Sequence, residues 1–157
     1  MNDLNSTLTT VLAGRYFTNL ARIRELAAPV TEQQFWTKPF PYGNSFGHLV
    51  LHLMGNLNYY IGAQIANTGY VRNREREFTD ANPPSKEDTL KQLDAAVAMV
   101  METIRGQSSA DWAKAYSAVG TSCVNRLDIV IQCAAHMQQH IGQMIYLDYE
   151  IKREQAD

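Results

Sequence analysis

Between Phe40 and Val71 the chain carries no Asp, Glu, Lys or Arg. Such a gap raises the question of a membrane span, which needs about 20 mostly apolar residues. Gly43, Asn44, His48, His52, Asn56, Asn58, Gly62, Gln64 and Asn67 interrupt this one, so it reads as a helix buried on several sides, partly by a second subunit. Cysteine is scarce as well: Cys123 and Cys133 stand alone, without CxxC spacing, and read as reduced packing residues of a cytoplasmic protein. No run of Lys or Arg occurs and the net charge is −2, which removes the electrostatic basis for binding nucleic acid or a membrane surface. The first residues lack a basic stretch followed by an apolar one, so no signal peptide is expected. Also absent are a P-loop, GxGxxG, CxxCH and any ExxH pair; the last argues against a carboxylate-bridged di-iron bundle.

What is present is helical periodicity. The chain has 157 residues, 45% apolar and 19% charged, which suits one globular domain over 1–157. Leu4, Leu8, Leu12, Tyr16, Leu20, Ile23 and Ala27 form an apolar stripe that ends before Pro29. A loop through Pro39, Pro41 and Gly43 follows, and Asn44 or Ser45 caps a second helix with Phe46, Leu49, Val50, Leu53, Leu57, Tyr60 and Ile61 on its apolar arc. Ser85 with Asp88 starts a third helix, stopped by Gly106, and a fourth begins near Ser122 or Asn125 and runs to about Arg153. Four helices and no convincing strand predict an all-α, up-down four-helix bundle.

The chain has four histidines, and all of them fall in two pairs spaced i,i+4: His48 with His52, and His136 with His140. Residues at that spacing share a helix face, so each pair of imidazoles can converge on one cation. Neutral nitrogens suit Zn²⁺, Ni²⁺, Fe or Mn; three of them leave a position open for water or substrate, whereas a fourth closes the site and makes it structural. Helical angles place His52 nearer than His48 to the apolar arc, making His52 the better ligand and His48 an outer or solvent-facing residue. Asn56 and Gln143 are candidates to orient an imidazole or substrate from outside the ligand set, and Gln139 and Cys133 are lesser ones beside the second pair. The run Arg72, Arg74, Glu75, Arg76 and Glu77 reads as a solvated loop knitted by ion pairs, with anion binding as the lesser alternative. Trp36, Phe40 and Tyr42 read as a cover over one end of the bundle.

The pieces SFGHLVLHLMGNLNYYI, YVRNREREF and HMQQHIGQM, in that order, resemble the DinB-like (YfiT-like) superfamily of small metal-binding four-helix bundles. The resemblance spans nearly the whole chain. It implies His52, His136 and His140 as ligands of a divalent metal, with His48 an addition to that set. It also implies a homodimer and, for some relatives, transfer reactions that use glutathione, mycothiol or bacillithiol on a small-molecule substrate. The reacting group would then be a thiol or a water acidified at the metal, and the sequence does not choose between them. The competing readings are a non-catalytic bundle with a structural metal and a dimeric interaction or stress-response protein.

Overall fold

The computed structural model describes residues 3–156. Its helices are α1 (Leu4–Ala27), α2 (Glu32–Trp36), α3 (Phe46–Leu57), α4 (Arg76–Thr79), α5 (Lys86–Arg105), α6 (Ser109–Trp112) and α7 (Arg126–Ala156). A π-helical segment, Asn58–Ala63, continues α3. Among the described residues there is no strand, only an isolated bridge between Ala115 and Asn125, and no helix is long and apolar enough to cross a membrane.

The helix ends follow from local chemistry. Asp3, Ser45 and Ser85 each accept a hydrogen bond from a backbone N–H in the first turn of α1, α3 and α5, and Gly106 closes α5. The short α2 was expected as loop; Thr31 and Gln34 form a reciprocal capping box that starts it.

The long helices α1, α3, α5 and α7 make the expected four-helix bundle. In it α1 packs on α5 and α7, and α3 packs on the same two from the other side. Two fully buried polar groups fix the register of α1 against α7. Tyr16 donates its hydroxyl to the Val130 carbonyl at 2.6 Å, and Asn19 donates to the Ala134 carbonyl at 3.2 Å. These contacts advance together along both chains, so α1 and α7 are parallel. By the same reasoning α1 and α5 are antiparallel, since Asn5 bonds the Gln107 carbonyl near one end and Arg24 pairs with Asp94 further along. His52 meets His136 while Tyr60 lies over Val119 and Ile129, so α3 is antiparallel to α7. The directions are therefore up, down, down, up: the four-helix bundle is as expected, but its helices do not alternate along the chain as an up-down order would.

This order has a consequence for function. Parallel α3 and α5 cannot be joined by a short turn; the chain must return along the length of the bundle. It does so through residues 64–85, and α4 on that return packs against α3. The charge-free helix is thus covered by its own chain, with His52, Leu53, Gly55 and Asn56 all buried.

Candidate metal centre

His52 lies mid-way along α3 and His136 and His140 lie one turn apart on α7, facing it. The Nε2 atoms of His52 and His136 are 3.0 Å apart, and those of His136 and His140 are 3.2 Å apart. All three ligand atoms fall within 4.8 Å of one another.

Proton placement follows from the outer partners. His52 Nδ1 is 2.9 Å from Glu77 Oε2. An ionised carboxylate only accepts, so Nδ1 carries a hydrogen, and in the neutral ring Nε2 is then the lone pair. His140 Nδ1 likewise donates to the Gln143 carbonyl at 2.6 Å, leaving its Nε2 bare. Two bare nitrogens then point at the same place as His136 Nε2, an arrangement that repels unless a proton on His136 or a cation sits between them.

Size supports a cation. A tetrahedron with metal–nitrogen arms of about 2.0–2.1 Å has an edge of roughly 3.3 Å, and an octahedron with such arms about 3.0 Å. The observed separations match both, so the residues fit a transition-metal ion without selecting one. Cost points the same way. Burial pushes the His136 ring down to about 4, helped by His140, His52 and Arg72 and opposed by a hydrogen bond to Gln139. His140 is also lowered, first by burial. At neutral pH both rings are the uncharged form that a metal requires.

Glu77 is the residue that sequence reasoning missed. The run from Arg72 to Glu77 is not simply a solvated loop: Glu77 is 7% exposed and the Arg72 side chain 11%. Arg72 grips the carboxylate with Nε to Oε1 at 2.7 Å and Nη2 to Oε2 at 3.0 Å. Burial alone would raise the Glu77 carboxyl, but the hydrogen bonds from His52 and Arg72 outweigh it and hold the group below its ordinary value. Gly55 makes room, because a Cβ there would collide with Glu77 Oε1. Phe78 packs beside the His52 ring at 5.3 Å. The pattern of alternating charges carried no sign of this, since ion-paired loops and buried Arg–Glu pairs look alike in sequence.

Other expected residues fall as follows. His48 stays outside the cluster, half-buried beside Trp36 with its Nδ1 2.7 Å from the Ser45 hydroxyl. Asn56 is buried one turn after His52, with its Oδ1 lacking a hydrogen-bond partner. Gln143 does hold a ring, that of His140. Cys133 is outside the ring cluster, and burial pushes its thiol up to about 12. Phe40 and Tyr42 stack on each other at 5.4 Å.

The sequence profile of the DinB superfamily matches residues 17–144. The chain belongs to the DinB superfamily. This DinB-like bundle is also similar to the crystal structure of a conserved protein from Enterococcus faecalis. The TM-score is 0.74, over 90% of this chain and 95% of that one, at 18% identity, a likeness of fold. No curated protein matches the sequence.

One side of the DinB-like centre is open. A cavity of about 850 Å³ is bounded by His52 and His136, with Tyr59 and Tyr60 from the π-helical segment and Arg72 and Arg74 from the return connection. Arg72 also sits over the Tyr60 ring at 5.9 Å. The ligand set supplies no negative charge and Glu77 is neutralised by Arg72, so a bound dication would keep its charge for whatever enters the cavity.

Proposed function

We propose that His52, His136 and His140 hold one divalent transition-metal ion and that the protein is a metal-dependent transferase acting with a low-molecular-weight thiol. One observation carries the reading: three imidazole nitrogens converge at metal-ligand spacing, and two of the rings, His52 and His136, line a substrate-sized cavity. A structural site would be expected to close with a fourth protein ligand, and among the described residues none joins the three.

The metal would supply a Lewis-acidic position at which a thiol is acidified at neutral pH. The chain's own residues do the rest. Glu77 accepts the His52 Nδ1 hydrogen, fixing the tautomer and turning Nε2 toward the centre, while Arg72 keeps that carboxylate ionised. Gln143 does the same for His140. Tyr59 and Tyr60 wall the cavity, and the arginines favour an anionic cosubstrate.

Metal analysis of untagged protein refolded with Zn²⁺, Ni²⁺ or Mn²⁺, followed by conjugation of glutathione to an electrophilic chlorodinitrobenzene, tests this. One metal per chain and conjugation lost with a chelator or in His136→Ala support the proposal. Metal retained with no conjugation to any thiol makes the site structural, and no metal uptake removes the proposal.

The homodimer remains part of this reading, on a different face. Because α3 is covered within its own chain, the apolar groove between α1 and α7, where Val11 and Ile131 are exposed, is the better interface.

A further inference from the structure

The cavity beside the three rings has a lopsided set of free polar groups. No carboxylate lines it. Glu77 neutralises Arg72, but Arg74 is exposed and, among the described residues, has no carboxylate partner. Gln132 stands one turn before His136 on α7 and lines the same cavity. Its Oε1 is already taken, since Thr121 donates its hydroxyl to it at 3.1 Å and Cys123 donates its S–H. Burial pushes the Cys123 thiol up, so it keeps that hydrogen and needs an acceptor. The carbonyl end of Gln132 therefore faces the connection before α7, and its NH₂ group is the free end. The cavity thus offers a guanidinium and an amide NH₂, both of which only donate, to whatever enters it.

The rest of the wall is apolar. Val71 on the return connection is 88% exposed and Val119 before α7 is 84% exposed, and both border the cavity with Ile129 and the Tyr60 ring. A bare inorganic ion would leave those valines in water, whereas an organic body covers them.

We propose that the cavity takes an organic oxyanion as the substrate that accepts the transferred group, with its apolar body against Val71 and Val119 and its oxyanion head accepting hydrogen bonds from Arg74 and the Gln132 NH₂. The proposal deepens the transferase reading and rests on it only for calling the ligand a substrate; the contacts themselves need no metal. Arg74 and Gln132 act in binding, as specificity-determining residues that select an anionic substrate over a neutral or cationic one.

Four probes share a phenyl ring and differ in the head: phenylphosphonate and benzoate are anions, benzyl alcohol is neutral and benzylamine is a cation. Calorimetry on metal-free protein at low salt, where no ion is present to take the oxyanion, compares wild type, Arg74→Gln and Gln132→Glu. In wild type both anions are expected to bind about ten-fold tighter than the alcohol, a gap that narrows as salt is raised, with benzylamine the weakest. Arg74→Gln touches no partner in the fold, so it should melt like wild type and close most of the gap without changing alcohol binding. Gln132→Glu keeps an oxygen for Thr121 and Cys123 and exchanges the NH₂ for a second oxygen. It should weaken both anions about ten-fold or more and make benzylamine the preferred probe.

Equal binding of anions and alcohol by wild type, or an unchanged preference in either variant, overturns the assignment even where zinc binds and thiol conjugation proceeds. An anion preference that depends on Arg74 and Gln132 in protein that takes up no zinc upholds the oxyanion contacts and removes the transferase reading. A preference for phenylphosphonate over benzoate, or the reverse, identifies the head group within the same site.

Discussion

Replacing Glu77 by Gln changes one oxygen for an NH₂ group and leaves the shape nearly intact. The native carboxylate accepts three hydrogen bonds: from His52 Nδ1 at 2.9 Å, from Arg72 Nε at 2.7 Å and from Arg72 Nη2 at 3.0 Å. An amide turns one of those acceptors into a donor facing a donor, whichever way it rotates, and leaves the largely buried Arg72 cation uncompensated. Breaking a buried pair from one side costs about 3–5 kcal/mol. At about 2–4 °C per kcal/mol for a chain of this size, metal-free Glu77→Gln should melt roughly 6–20 °C below wild type. Loss of the group that orients a ligating histidine typically costs about 10–100-fold in metal affinity, or about 1.4–2.7 kcal/mol. Competition against a chromophoric chelator reads the affinity and calorimetry the melting. Arg72→Gln combined with Glu77→Gln should recover much of the stability without recovering metal affinity, because the stranded charge is gone but His52 still lacks its acceptor. The stabilising contribution of Glu77 is present above its unfolded value near about 4.3 and lost as pH falls through its lowered folded value, so the gap between wild type and Glu77→Gln should shrink in acid. Metal affinity within two-fold of wild type, with melting unchanged, would refute the orienting role.

His136 gives a second pH signature. Its folded value of about 4 lies below the unfolded value near about 6.5, so the unfolded chain takes up the proton first. Urea midpoints of metal-free wild type should therefore fall as pH drops from about 6.5 toward 4, and the slope should flatten in His136→Gln; an unchanged slope contradicts the assigned burial. Gly55→Ala improves helix propensity by about 1 kcal/mol yet pushes the Glu77 carboxylate off His52, so metal affinity should fall even though α3 itself is no weaker. If affinity holds, the close approach of Glu77 is not needed. Ile131→Glu on the α1–α7 groove should shift sedimentation from dimer to monomer at micromolar protein while leaving the metal content alone; monomeric wild type rules the interface out.

Local signals in the sequence carried the long helices well. Ser45, Ser85 and Gly106 mark ends that the structure keeps, and the i,i+4 spacing of His136 and His140 put two rings on one face of α7. That His52 should meet them was not a local fact. Helical angles favoured it over His48, and the family resemblance completed the set; the structure adds that His48 is occupied with Ser45. Direction of the helices was hidden, because nothing in residues 64–85 announces that the chain travels back along the bundle. Glu77 was hidden for the same reason. Its burial depends on that return path and on the space left by Gly55, neither of which shows as periodicity or composition. The π-helical segment at Asn58–Ala63, which turns Tyr59 and Tyr60 toward the cavity, also lacks a residue code that distinguishes it from ordinary helix.

X-ray absorption on zinc-reconstituted protein tests the central claim most directly. Three imidazole nitrogens at about 2.0–2.1 Å are expected, plus a light atom that gives way to sulfur when a thiol is added. Fewer than three imidazoles, or a spectrum unaltered in a variant with His52, His136 and His140 all replaced by alanine, would contradict it.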